Sequence, residues 1–124
     1  SHKPHTKDGT TILVKLRQFE AADQTFVRID TNSAKWLPGQ IEGLQVMPLH
    51  EYGTEQVELQ KWAANTHLGR HVHPQGEEVF VISGTFADEQ GHYPAGTWLR
   101  NPTGSEHNPY SDEGCVLFVK TGHL

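Results

Sequence analysis

Gly, Pro, Asn and Asp recur along this 124-residue chain at intervals too short for helices, and that punctuation is what most limits the folds open to it. Between the breaks lie short runs rich in β-branched and aromatic residues. Residues 10–16 read as a first strand, and residues 25–29 alternate apolar with polar as a half-exposed second strand does. Residues 18–23 leave room for a turn of helix between them. Trp36-Leu37-Pro38-Gly39 is a turn, residues 43–49 a strand interrupted by Pro48, and residues 55–63 a strand with Val57, Leu59 and Ala63 on one face. Further strands follow from Arg70, at residues 84–87, around Thr97 and at residues 115–120, with Asp88-Glu89-Gln90-Gly91 at a hairpin tip. Seven or more short strands with hardly any helical period predict an all-β sandwich or barrel, for which a jelly roll is the natural candidate. The polar residues 1–9 show no periodicity and are expected to form a loose tail, leaving residues 10–124 as a single domain.

A formal charge of −5, with no run of Lys or Arg, argues against nucleic acid or an anionic membrane surface as partner. No apolar segment approaches the roughly 18 residues of a membrane span, and no charged-then-hydrophobic leader opens the chain, so a soluble cytoplasmic protein is expected. The one cysteine, Cys115, excludes an internal disulfide and fits a reducing compartment. Its place beside Val116-Leu117-Phe118-Val119 suits a small buried apolar side chain better than a nucleophile.

The chemistry concentrates in Arg70-His71-Val72-His73-Pro74-Gln75-Gly76-Glu77-Glu78. Side chains two apart on a strand share a face, so His71 and His73 aim two imidazoles at one point. The turn at Pro74-Gln75-Gly76 then returns a carboxylate, Glu77, from the next strand. Downstream, a short strand enters the turn Pro102-Thr103-Gly104 and delivers His107, three residues past the glycine. Glu77 and Glu78 point to opposite faces, so one alone can join the histidines, and Glu78 is expected to meet solvent or a basic neighbour.

These two stretches resemble the paired motifs of the cupin family, G-x5-H-x-H-x3-E-x6-G ending at Gly84 and G-x5-P-x-G-x2-H running from Gly96 to His107. Gly76-Glu77-Glu78-Val79-Phe80-Val81, Tyr93-Pro94-Ala95-Gly96-Thr97, Arg100-Asn101-Pro102 and residues 113–120 are similar, more narrowly, to the ChrR-like branch. Asn65 replaces the opening glycine of the first motif and tolerates the same left-handed backbone. Ser111 replaces the closing asparagine of the second. The resemblance implies a double-stranded β-helix, the cupin jelly-roll barrel, with His71, His73, Glu77 and His107 as metal ligands.

Three imidazoles and a carboxylate suit a divalent ion, iron, zinc, manganese, nickel or copper, and residue identity does not rank them. Because imidazole must be neutral to ligate, affinity is expected to fall as pH drops through about 6. The resemblance implies two functions. One is a metal-dependent dioxygenase acting on a small dicarbonyl or phenolic ketone, with Trp62, Phe80, Trp98 and Tyr110 as candidate pocket walls and Arg100 as a candidate anchor for an anionic substrate. The other is a regulatory module like the C-terminal cupin of anti-sigma factors, whose helical domain carries a His/Cys zinc motif with no counterpart here. Val79-Phe80-Val81-Ile82 is apolar on both faces, so Phe80 and Ile82 are expected to point outward and seek cover, for which a homodimer is a candidate. Among the remaining histidines, His67 is the one nearest the motif in sequence; His50, His92 and His123 read as surface or core residues.

Overall fold

The structure, a computed structural model, describes residues 2–124, so Ser1 of the expected tail lies outside it. Among the described residues there are eleven strands and no helix: β1 (Leu37–Pro38), β2 (Leu44–Tyr52), β3 (Glu55–Trp62), β4 (Thr66–His67), β5 (His71–Val72), β6 (Glu77–Asp88), β7 (Gly91–Pro94), β8 (Trp98–Asn101), β9 (Glu106–His107), β10 (Tyr110–Ser111) and β11 (Cys115–Thr121). All pairings are antiparallel, and the strands curl into the all-β jelly roll that the turn pattern predicts.

The longest strand, β6, belongs to both halves of the curl. Its first half pairs with β11 and β8, and its second half pairs with β7 and β10. The change occurs at a bulge: Val116 opposes Ser83 and Leu117 opposes Val81, which leaves Ile82 without a partner on β11. One extra residue reverses the inside-outside alternation, so Glu77, Val79 and Val81 face inward before the bulge and Phe86 faces inward after it. Gly84 completes the bend at φ 72°, and a Cβ there would lie 2.1 Å from the Gly114 carbonyl oxygen, which only glycine avoids.

Leu44, Trp62, Val79, Val81, Phe86, Cys115, Leu117 and Val119 form the core inside the curl. Trp62 meets Phe86 edge to face, with ring centroids 5.3 Å apart. Asn65 holds the left-handed φ of 60° that its motif position requires. Ser111, buried, donates its hydroxyl to Thr85 O at 2.7 Å and accepts from Gly114 N at 3.0 Å, so it ties β10 and the following turn to β6.

Several expectations are corrected. Residues 10–16 and 25–29 are not strands, and residues 18–23 contain a hydrogen-bonded turn rather than helix. β-Propensity forms a strand only where a sheet edge accepts its backbone. Here the segment instead lies across the outer face, held by side chains: Lys15 to Glu78, Gln18 to Lys120, and Asp23 to His50 at 2.7 Å. Leu37–Pro38 is an edge strand rather than a turn, a place where proline costs no ladder bond. Residues 84–87 continue β6. No helix among the described residues is long and apolar enough to cross a membrane.

Candidate metal centre

Two short hairpin arms build the site. Strands β5 and β9 pair with His71 directly opposite His107, and the chain stays in step beyond them through His73 N to Ser105 O (2.9 Å) and Gly104 N to His73 O (2.8 Å). Glu77 opens β6, where it is the register partner of Asn101 on β8. All four expected residues therefore converge.

His73 Nε2 lies 2.8 Å from His107 Nε2, which is 3.2 Å from His71 Nε2. Glu77 Oε1 is 3.3 Å from the first of these atoms and 3.8 Å from the second. One donor atom from each residue fits within 4.8 Å of all the others. The rings meet nearly edge-on, at 86°, 70° and 67°, like blades around a common axis. A single proton satisfies one nitrogen pair and leaves the remaining lone pairs facing one another at about 3 Å. One divalent cation satisfies all of them, and borderline nitrogens with one carboxylate oxygen are a donor set such ions accept. The residues fit the metal that the motifs imply.

The electrostatics point the same way. Burial, then the charge of neighbouring imidazolium at His107 and His71, lowers the pKa of His73 to about 4, so its ring stays neutral. Burial, then His71, lowers His107 as well, opposed by Asp88. Burial raises Glu77 to about 7 against the hydrogen bond from Asn101, with Glu58 adding to the rise. A cation held by the cluster would supply a counter-charge to that carboxylate.

Other groups aim the ligands. His71 Nδ1 lies 3.1 Å from the Gly69 carbonyl, which only accepts, so Nδ1 carries the proton and Nε2 presents its lone pair. His107 Nδ1 is buried with Asp88 Oδ2 3.6 Å away. Asn101 Nδ2 donates to Glu77 Oε1 at 3.0 Å. Neither Asp88 nor Asn101 is marked by the sequence for this duty. Strand register supplies Asn101, and the reversed alternation after the bulge turns Asp88 toward the cluster.

The cluster opens on a cavity of about 680 Å³ within the curl, walled by Trp62, Val79, Phe86 and Leu117 and, along β3, by Gln56, Glu58 and Gln60. Of the expected aromatic walls, Trp62 alone lines it. Phe80 and Trp98 face the outer hollow under residues 13–18, as does Arg100, which therefore cannot anchor a substrate in the cavity. Tyr110 stacks on His67, with centroids 5.2 Å apart. Glu78 meets its basic neighbours, Lys15 and, at 3.3 Å, His123. His50 pairs with Asp23 near Glu55, whose carboxylate is engaged by Lys120 at 2.8 Å.

Convergence of the motif residues on one point is matched by the comparison with known families, in which the ChrR Cupin-like domain profile covers residues 24–124. The chain belongs to the ChrR cupin-like family. This cupin is similar to a protein of unknown function with a cupin-like fold from Ralstonia eutropha, at 22% identity and TM-score 0.72, over 80% of this chain and 68% of that one. It is similar to a chain in the complex of Rhodobacter sphaeroides SigE with the anti-sigma ChrR, at 23% identity and TM-score 0.64, over 75% of this chain and 52% of that one. It is also similar to an acetylacetone dioxygenase from Acinetobacter johnsonii, at 14% identity and TM-score 0.69, over 87% and 80%. The chain thus spans about half of the chain in the ChrR complex and about two thirds of the Ralstonia protein. At these identities the likeness is one of fold. No curated protein matches the cupin.

Proposed function

We propose that this chain is a divalent-metal cupin that takes a small oxygen-bearing molecule into the cavity beside His71, His73, Glu77 and His107, and that it is a metal-dependent dioxygenase of a small dicarbonyl or phenolic ketone. The observation that carries this reading is the cavity of about 680 Å³ onto which the four side chains open. Likeness to an acetylacetone dioxygenase supports the substrate class.

A bound iron or manganese ion would supply Lewis-acid and dioxygen chemistry, and an ion that accepts six donors keeps places for substrate after four from the protein. His71, His73, His107 and Glu77 would hold it. The Gly69 carbonyl fixes which nitrogen of His71 is offered, the Asp88 carboxylate stands 3.6 Å from His107 Nδ1, and Asn101 holds the carboxylate of Glu77 in place. Trp62, Val79, Phe86 and Leu117 keep the apolar side of the cavity dry.

A second reading is a sensor or regulatory cupin without catalysis, supported by the likeness to the ChrR complex. Oxygen uptake by iron- or manganese-loaded protein with acetylacetone and hydroxyacetophenone separates the two. Turnover of either compound supports the enzyme; tight ligand binding without oxygen consumption supports the sensor.

The proposal extends to a cytoplasmic homodimer of one domain over residues 10–124, with a tail at 1–9 and no nucleic-acid or membrane partner. Ile82, 46% exposed on the outer face, is the apolar side chain such a dimer would cover. A monomeric mass by light scattering at micromolar concentration would contradict it.

A further inference from the structure

The inner face of β3 departs from what a barrel interior ordinarily carries. Its apolar residues Val57 and Leu59 turn outward, and Gln56, Glu58 and Gln60 turn into the cavity. Amides and a carboxylate on an inner wall cost free energy unless something bonds to them. Two bonds order this wall: Trp62 Nε1 donates to Gln60 Oε1 at 3.1 Å, and Gln60 Nε2 donates to Glu58 Oε2 at 3.2 Å. The indole has no acceptor, so it fixes which end of the Gln60 amide is oxygen, and the amide nitrogen must then face Glu58. The relay leaves Glu58 Oε1 without a hydrogen-bond partner among the described residues, on the wall of the cavity that the metal cluster also lines.

We propose that Glu58 is a specificity-determining residue, which accepts a hydrogen bond from a hydroxyl group on the ligand, so that the substrate is a small carbonyl compound bearing a free hydroxyl rather than a plain diketone. The proposal rests on the reading of the cavity as the ligand site. A neutral hydroxyl suits the wall because it both donates and accepts, as the amides of Gln56 and Gln60 do on either side of Glu58. Glu58 is not one of the four convergent donors and acts on Glu77 through its charge. Trp62 and Gln60 are positioning residues that act through it.

Kojic acid and allomaltol test this directly, because both chelate a metal through the same hydroxypyranone head and differ by one hydroxyl. Calorimetric titration of the metal-loaded protein is expected to show kojic acid binding about tenfold tighter, the effect of one hydrogen bond to a charged acceptor. In Glu58→Leu the preference should shrink to within about twofold, with metal content and allomaltol affinity held within twofold. Glu58→Gln, nearly isosteric, should weaken the preference severalfold and serves if the leucine variant does not fold. Equal affinities in the wild type, a preference that survives both substitutions, or loss of metal from Glu58→Gln would each overturn the assignment. Failure of both pyranones to bind loaded wild-type protein would overturn the reading of the cavity itself.

Discussion

His71 and His107 face each other across the ladder formed by β5 and β9, and their Nε2 atoms lie 3.2 Å apart although 36 residues separate them in the chain. The ladder is two residues long on each side, too short to hold its arms together unaided. A shared ion would close the same contact from the side-chain end. The metal should therefore stabilise as well as function: an ion present at a thousandfold over its dissociation constant adds about 4 kcal/mol, which for a domain of this size raises Tm by about 10 °C or more. Calorimetry with and without a chelator measures this.

His107→Ala should weaken metal binding by more than about a hundredfold and leave the β-rich far-ultraviolet spectrum intact, since the ring is one of several donors while the strands are held by backbone bonds. Elemental analysis after dialysis reads the loss. Unchanged metal content would remove His107 from the ligand set.

The pH dependence of loading has a contribution from Glu77. Its carboxyl, raised to about 7 chiefly by burial, holds a proton that an incoming ion must displace, whereas His73, lowered to about 4, has none to lose near neutrality. Affinity should be level above about pH 7 and fall by up to tenfold per unit below it. The window thus lies higher than the pH of about 6 that ordinary imidazoles suggest. Chelator competition from pH 5 to 8 checks the slope, and Glu77→Gln should flatten it.

Asp88→Asn removes the charge 3.6 Å from His107 Nδ1 and keeps every ligand. Metal affinity should drop by about ten- to a hundredfold, as removal of such outer partners does. Tyr93, whose hydroxyl donates to Asp88 Oδ1 at 2.8 Å, has its phenol pushed up to about 12, first by burial and then by that bond. In the variant its titration should move back toward 10, which absorbance at alkaline pH follows.

Gly84→Ala should destabilise the fold by several kcal/mol, because the new Cβ would meet the Gly114 carbonyl oxygen and the backbone is left-handed there. Chemical denaturation measures the change. A midpoint within error of the wild type would mean that β6 and β11 can separate at the bulge without cost.

Alternation along the chain was enough to place His71 and His73 on one face and to admit only one of Glu77 and Glu78 beside them, because the period of a strand is a local property; the motif spacing to Gly84 selects Glu77. It could not say which face of a strand lies inside. Val57 and Leu59 look like core residues and yet alternate with the cavity-lining Gln56, Glu58 and Gln60, so they face outward, Val57 beneath residues that themselves look like strands and join no sheet. Arg100 and Trp98 follow the same logic, since their side of the sheet is fixed by how β6 curls, whereas Phe80 faces outward as its alternation with Val79 and Val81 predicts. Ile82 reverses the parity at a bulge that leaves no mark in composition, and with it the direction of Asp88. Those assignments are tertiary, made by the closing of the curl.

X-ray absorption spectroscopy on protein purified without chelator or immobilised-metal resin, and loaded where necessary with iron, zinc, manganese or nickel, shows whether His71, His73, Glu77 and His107 share an ion. About one ion per chain is expected, with a first shell of nitrogen and oxygen at roughly 2.0–2.2 Å and the outer scattering of three imidazoles. A sulfur scatterer, or no stoichiometric ion with any of these metals, would contradict it.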